Sequence, residues 1–325
     1  SLKESELMVI GDECHNHGSK KTNDSIPKAD FRMGLSATPF RSDDDEYDNP
    51  FPNLSKDRIL DYYKGVVATY SLGDAINDGI LCEYDYHIVP VYLTEEEQEN
   101  YEALTSAIGK LIGSGQTFKT SGQLTNLCGQ RSRLIGGAEG KLPALASLLA
   151  SLNSEKKGSL FYCGEGKSGD VEQSSNYDEK IVEKVSLVLH QNGWNTARFT
   201  SVESSAQRSQ IMSEFKNGSI DALVSMKVLD EGVDVPSCDK AFILASTRNP
   251  RQYIQRRGRV LRKAEGKSKA SIYDFVILPK PGANNTSSKA LKRAELERVD
   301  DFCLLAINRF DVERQIDELG LKNGA

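Results

Sequence analysis

Between residues 158 and 276 short apolar runs alternate with amphipathic segments, and this alternation constrains the fold more than any other feature of the chain. The runs lie at 159–163, 196–200, 222–225, 241–245 and 270–276, with helical patterns at 178–191, 205–216 and 252–260 between them. A strand that is apolar along its whole length must be covered on both faces, and intervening helices supply that cover. The predicted fold class is therefore α/β, with a parallel sheet clothed by helices.

Upstream, apolar runs at 7–11 and 31–35 read as two more buried parallel strands, the second closed by Pro39. Residues 41–48 are acidic and polar and read as a solvated loop between two bodies of structure. Short helical patterns occupy 59–64 and 72–77, and 84–93 is rich in Tyr, Val and Ile and reads as a strand. Residues 95–149 read as helical, broken by the Gly and Ser of 113–122, and a last charged helix is expected near 287–318, docked on either body. The 325 residues, at about 150 per domain, leave room for two domains.

The net charge of −6 argues against a generic basic coat for nucleic acid. Between Arg248 and Lys269, however, nine basic side chains face the single acid Glu265. The six cysteines show no zinc-knuckle spacing, and a metal reading of Cys14, His15 and His17 lacks a fourth ligand. No apolar run approaches 18 residues, so no membrane span is expected, and scattered cysteines without a signal peptide point to the reducing cytoplasm. Trp194, Tyr62 and Tyr63 are expected in the core rather than as stacking platforms for bases.

Asp12-Glu13-Cys14-His15 follows directly on the first apolar run, which puts two adjacent carboxylates at the carboxyl end of a sheet. One can hold Mg2+ through water while the other orients and deprotonates an attacking water; a plain polar turn is the bland alternative. Ser36-Ala37-Thr38 closes the next run with two hydroxyls that can reach such a pair. Near the other end, Gln255-Arg256-Arg257-Gly258-Arg259-Val260-Leu261-Arg262 sets Arg259 and Arg262 three apart, hence on one face if the segment is helical. Forked guanidinium groups suit a developing phosphoryl charge, whereas the bland reading is a solvated basic helix.

The order DECH, SAT, DEGVDVP and QRRGRVLR resembles motifs II, III, V and VI of superfamily 2 helicases and translocases, most of all the XPB-like and restriction-type DNA translocases. DECH also occurs in RIG-I-like RNA sensors. The resemblance covers 7–38 and 159–275 and implies four parts. Residues 1–45 would be a truncated remnant of a first RecA-like, ATP-binding domain, and 46–150 a linker and helical insertion. Residues 151–280 would be the second RecA-like domain, the helicase C-terminal domain, and 281–325 a C-terminal helix.

The resemblance also implies roles and cofactors, namely ATP and Mg2+. Asp12 would bind Mg2+ through water, Glu13 would be the base, and His15, Ser36 and Thr38 would couple the site to the second domain. Gly232 and Asp234 would approach the ribose, Gln255 the γ-phosphate, and Arg259 and Arg262 would be arginine fingers. Thr200, Ser201, Arg208 and Ser225 would meet a nucleic-acid backbone, DNA being favoured over RNA; Ser204 or Ser205 reads as a plain helix cap. The Thr of the family's motif V is Met226 here.

No GxxxxGK[ST] loop, whose amides and Lys cradle the β- and γ-phosphates, occurs in the sequence. The segment 164–168 has the GKS ending with Phe161 in place of the first Gly, and 136–141 is one residue short; both read as loops. The chain is thus expected to start downstream of that loop and to hydrolyse ATP negligibly by itself, the longer parent being the ATP-dependent DNA helicase or translocase. A nucleic-acid-binding regulatory module without turnover and an RNA helicase or sensor remain as alternatives, and partner subunits cannot be read from the sequence.

Overall fold

The computed structural model describes residues 7–40, 54–115, 122–152, 156–163, 171–200, 202–225, 238–245 and 250–322. Two compact units are present, one formed by Ser1–Ala75 with Thr247–Arg257 and the other by Ile76–Ser246 with Gly258–Ala325.

In the first unit β1 (Met8–Gly11) and β2 (Phe31–Gly34) pair in parallel, Met8 opposite Phe31 and Gly11 opposite Gly34. A 3-10 turn (Cys14–Gly18) and α1 (Lys20–Asn23) connect them, and Ser19 caps α1 by accepting the Thr22 N–H. The helix α2 (Leu54–Tyr63) packs on the 3-10 turn, where the Arg58 guanidinium donates to the Gly18 carbonyl at 2.9 Å. The strands are parallel as expected, but they are not the buried strands the apolar runs predict. Met8, Ile10, Phe31 and Met33 are exposed, because among the described residues no third strand joins the pair to help enclose the apolar side chains.

The second unit follows α3 (Leu72–Asn77), which spans the boundary between the units. Its six strands are β3 (Glu83–Tyr92), β4 (Ser159–Tyr162), β5 (Thr196–Phe199), β6 (Ala222–Ser225), β7 (Lys240–Ile243) and β8 (Lys269–Leu278). They form one sheet in the order β3-β8-β7-β4-β6-β5, every pair parallel. Its helices are α4 (Glu95–Gly113), α5 (Gly122–Gly136), α6 (Lys141–Ser151), α7 (Val171–Gln191), α8 (Ser205–Lys216), α10 (Thr286–Cys303) and α11 (Arg309–Glu318), while α9 (Pro250–Val260) is divided between the units after Arg257. This is the α/β fold read from the alternation. The stretch before residue 151 contributes to it from Glu83 onward: β3 pairs with β8 over ten residues, and Tyr101, Ile135 and Leu145 enter the same core as the sheet.

Registry explains how that core is built. Phe161, Phe242 and Tyr273 are partners on successive strands, and His87 faces Tyr273 in turn, so four rings stack in a row across the sheet. Centroids are 4.2 Å apart for Phe161 and Phe242, and 4.8 Å for each of the next two pairs. Trp194 meets Phe161 and Phe242 edge-on, which places it in the core as expected. Such pairs contribute about 0.5–1.5 kcal/mol each beyond the area they bury.

A buried polar cluster ties α10 to the sheet. Arg298 donates to Asp274 Oδ2 at 2.9 Å and to Glu295 Oε2 at 2.7 Å, while Tyr86 donates its O–H to Asp274 Oδ2 at 2.9 Å. All four side chains are shut off from solvent. Glu295 also accepts the Ile277 N–H, so helix, strand and charge are fixed together. The single helix expected near 287–318 is two helices docked on the second unit. Between them Asn308 turns its amide onto the backbone of Tyr86, which a continuous helix would not allow.

Candidate functional site

At the carboxyl end of β1 the chain turns through Asp12 and Glu13. Glu13 sits at φ 47°, ψ 49°, left-handed geometry that costs a non-glycine residue roughly 1–2 kcal/mol and is characteristic of functional turns. The turn is held by hydrogen bonds of the backbone: Leu35 N–H donates to the Gly11 carbonyl at 2.8 Å and Cys14 N–H to the Leu35 carbonyl at 2.9 Å. Asp12 is exposed and accepts the Glu13 N–H on Oδ1. His15 is buried, with Nδ1 at 3.2 Å from Glu13 Oε2 and 3.0 Å from Ser36 Oγ. Ser36 Oγ accepts the Thr38 N–H at 3.2 Å, and Thr38 is itself buried. Five residues singled out from two separate sequence motifs therefore stand in one constellation.

Two adjacent carboxylates supply hard oxygen donors of the kind that hold Mg2+ with water and phosphate completing the shell. Among the described residues no group of three or more His, Cys, Asp or Glu is placed to hold a metal ion.

In the second unit Thr200 and Ser225 lie at the carboxyl ends of adjacent strands. Both are buried and bonded inward. The Thr200 hydroxyl donates to Glu203 Oε2 at 2.8 Å and the Ser225 hydroxyl to the Phe199 carbonyl at 2.9 Å, which leaves them little surface to offer a backbone phosphate. Ser204 caps α8 reciprocally with Gln207, as expected of a plain cap. Arg208 stands in the first turn of that helix, its Nε buried without a hydrogen-bond partner among the described residues. Ser201, Gly232 and Asp234, with the decoy loop 164–168, lie outside the described residues, as does the side chain of Gln255.

The two arginines expected on one helical face are not so placed. The helix α9 ends at Val260, so Arg259 is in its last turn and Arg262 lies beyond it, in an antiparallel bridge with Leu81. The cause is local: the Lys267 ammonium donates to the carbonyls of Val260 and Arg262, and the Leu261 carbonyl accepts the Cys82 N–H at 2.8 Å, which diverts the chain from the helix. Arg259 and Arg262 belong to the second unit and Asp12 to the first; the boundary falls inside α9, after Arg257.

Residues 141–264 match the helicase conserved C-terminal domain. Over these residues the chain is similar to the C-terminal domain of superfamily 2 helicases. DNA 3'-5' translocase XPB2 of Sulfurisphaera tokodaii is 24% identical over 264 residues, covering 79% of this chain and 56% of that protein. DEAD-box ATP-dependent RNA helicase 36 of Arabidopsis thaliana is 30% identical over 93 residues, 29% of this chain and 19% of that one. Among solved structures, the ATP-dependent Type ISP restriction-modification enzyme LlaBIII bound to DNA is similar in fold, with a TM-score of 0.51 at 16% identity, covering 93% of this chain and 21% of that one. The chain thus spans about half the length of the translocase relative. Strands β4 to β7 of the second unit's parallel sheet lie within the matched residues, and β3 and β8 extend the sheet beyond them. No described helix is long and apolar enough to cross a membrane.

Two residues near the carboxylates escape motif reading. Tyr63, at the end of α2, lies 2.6 Å through its hydroxyl from Nδ1 of His17, and the two rings stack. Only the repeated His at positions 15 and 17 hinted at this in the sequence; the tyrosine partner comes from a segment 46 residues away. Lys141, the end of the second apparent phosphate-loop decoy, is buried and donates to the carbonyls of Gly136 and Leu244, pinning α6 to β7.

Proposed function

We propose that this chain is part of an ATP-dependent DNA helicase or translocase of the DECH-box type within superfamily 2. The observation that carries the reading is the bridge from the Asp12–Glu13 turn through His15 to Ser36 and Thr38, in a chain that also matches the helicase conserved C-terminal domain. In this reading Asp12 holds Mg2+ through water, and Glu13 takes a proton from the water that attacks the γ-phosphate. Placing Nδ1 of His15 between the Glu13 carboxylate and the Ser36 hydroxyl lets the state of the carboxylates reach the end of β2. Gly232, Asp234, Gln255, Arg259 and Arg262 would meet ATP from the second domain. When bound, Mg2+ would neutralise the developing phosphoryl charge.

Nucleic acid would be held by its phosphates, with Ser201 and Arg208 as the contacts and the inward-bonded Thr200 and Ser225 shaping the strand ends behind them, so binding would be sequence-tolerant and would fall steeply with salt. DNA is the favoured strand on the likeness to the XPB2 translocase and the DNA-bound restriction enzyme. Six buried cysteines, none bridged, suit a reducing compartment such as the cytoplasm. The test is Glu13→Gln in a longer protein that also holds a phosphate loop. Lost turnover with retained ATP binding supports the motor, and unchanged turnover overturns it. Competition between duplex DNA and duplex RNA decides the strand.

A further inference from the structure

Gly11 and Gly34 are register partners on β1 and β2, and together they clear a patch on the sheet immediately before the carboxylate turn. A Cβ at Gly11 would lie 2.2 Å from the Tyr63 hydroxyl and 2.6 Å from Cε1 of His17. One at Gly34 would lie 2.9 Å from Cys14 Sγ and 3.1 Å from Cε1 of Tyr63. The bare backbone is thus filled by the phenol of α2 and the imidazole of the 3-10 turn, their oxygen and nitrogen 2.6 Å apart and their rings stacked 5.9 Å between centroids at 14°. Burial lowers the His17 pKa and pushes that of Tyr63 up to about 12. Both are therefore neutral near neutral pH, and the phenol oxygen and Nδ1 share one hydrogen bond.

The turn held in this way contains Glu13 in left-handed geometry, a conformation that persists only where its surroundings over-determine it. His15 fixes one side of it to the end of β2. His17 and Tyr63 stand against the glycine that precedes Asp12. We infer that His17 and Tyr63 are a positioning pair, which orients the Asp12–Glu13 carboxylates toward a divalent cation without touching it. This inference rests on the reading of those carboxylates given under the proposed function.

The test uses the full chain and Mn2+ as a paramagnetic stand-in for Mg2+, with affinity read from water-proton relaxation. Asp12→Asn first establishes that the measured Mn2+ sits at the carboxylates, and it is expected to abolish that binding. Tyr63→Phe keeps the ring on its glycine floor and removes only the oxygen; it should weaken Mn2+ binding by about tenfold, the scale at which outer groups orient metal ligands. His17→Ala should do the same, and the double variant should be no weaker than either single one. His17→Gln, whose amide oxygen can accept the phenol, should recover most of the loss. Wild-type affinity in Tyr63→Phe alongside lost binding in Asp12→Asn overturns the pair alone, as does a His17→Gln variant as weak as His17→Ala. Unchanged binding in Asp12→Asn overturns the carboxylate reading and the pair with it. Should His17→Ala fail to fold, Tyr63→Phe and His17→Gln decide the matter between them.

Discussion

His15 Nδ1 stands 3.0 Å from Ser36 Oγ, and the same oxygen accepts the backbone N–H of Thr38, so one hydroxyl joins the ends of two motifs that are 21 residues apart. Ser36→Ala removes that oxygen, leaving the Thr38 N–H without its acceptor and His15 Nδ1 with the Glu13 carboxylate alone. A part-buried hydrogen bond of this kind contributes about 1 kcal/mol. The Thr38 amide should therefore exchange its hydrogen roughly fivefold faster in the variant, while amides of β4 and β6 in the second unit keep wild-type rates.

Acid should loosen the first unit through His17. Burial places its folded pKa below the ordinary 6.5, so between that folded value and 6.5 the unfolded state binds more protons than the folded one. Stability from this group is present above pH 6.5 and is lost as pH falls through the folded pKa. His17→Gln cannot take up the proton. Subtracting its pH–stability curve from that of wild type should leave a difference that declines below about pH 6.5 and is flat above it; a difference with the opposite slope would contradict the burial argument.

Much of the second unit was legible because parallel strands leave a one-dimensional trace. The segments at 222–225 and 205–216 coincide with β6 and α8 to the residue, since continuous apolar runs and a Ser-x-x-Gln cap are local signals. The same logic overstated the first unit, because an apolar run says that a strand wants cover on both faces and not that the cover is there; Met8 and Phe31 remain exposed. It also misjudged Arg262. The end of α9 is decided by the Lys267 ammonium and by Cys82, which reaches in from a segment 179 residues upstream of Leu261, and no local pattern reports such partners. At the carboxylates, adjacency in sequence gave Asp12, Glu13 and His15, whereas Tyr63 could be found only once α2 was seen to lie against the paired glycines.

Arg298 balances two carboxylates in a region without solvent. Arg298→Met would leave Asp274 and Glu295 as uncompensated buried acids, a change that typically costs about 3–5 kcal/mol. Urea melts followed by Trp194 fluorescence, a probe inside the core of this unit, should show that loss. Adding Asp274→Asn and Glu295→Gln to Arg298→Met should recover a substantial part of it, because the remaining penalty is then that of neutral polar groups.

The sequence contains no GxxxxGK[ST], the loop whose backbone amides cradle the β- and γ-phosphates. Its own ATP turnover, with or without duplex DNA, should be indistinguishable from that of its Glu13→Gln variant in a phosphate-release assay. Robust DNA-stimulated release abolished by Glu13→Gln would show that the triphosphate is gripped by other residues.

Asn308 treats the outer edge of β3 as a neighbouring strand would. Its Oδ1 accepts the Tyr86 N–H at 2.9 Å and its Nδ2 donates to the Tyr86 carbonyl at 2.8 Å. Ile307 N–H donates to the Tyr84 carbonyl one pleat earlier, and Gln315 Nε2 to the Ile88 carbonyl one pleat later. The helix corner thereby satisfies alternate backbone groups along an edge that would otherwise template pairing with another chain. Asn308→Ala frees both Tyr86 groups at once and should cost about 1–3 kcal/mol, the penalty for leaving part-buried backbone polar groups unmade. The decisive readout is association: the variant should form concentration-dependent oligomers in sedimentation velocity, with raised β content, under conditions where wild type does not change. Asn308→Asp, which keeps the acceptor and loses the donor, should fall between the two. A variant as destabilised as Asn308→Ala that stayed monodisperse would show that the edge is guarded by the bulk of α11 rather than by the amide.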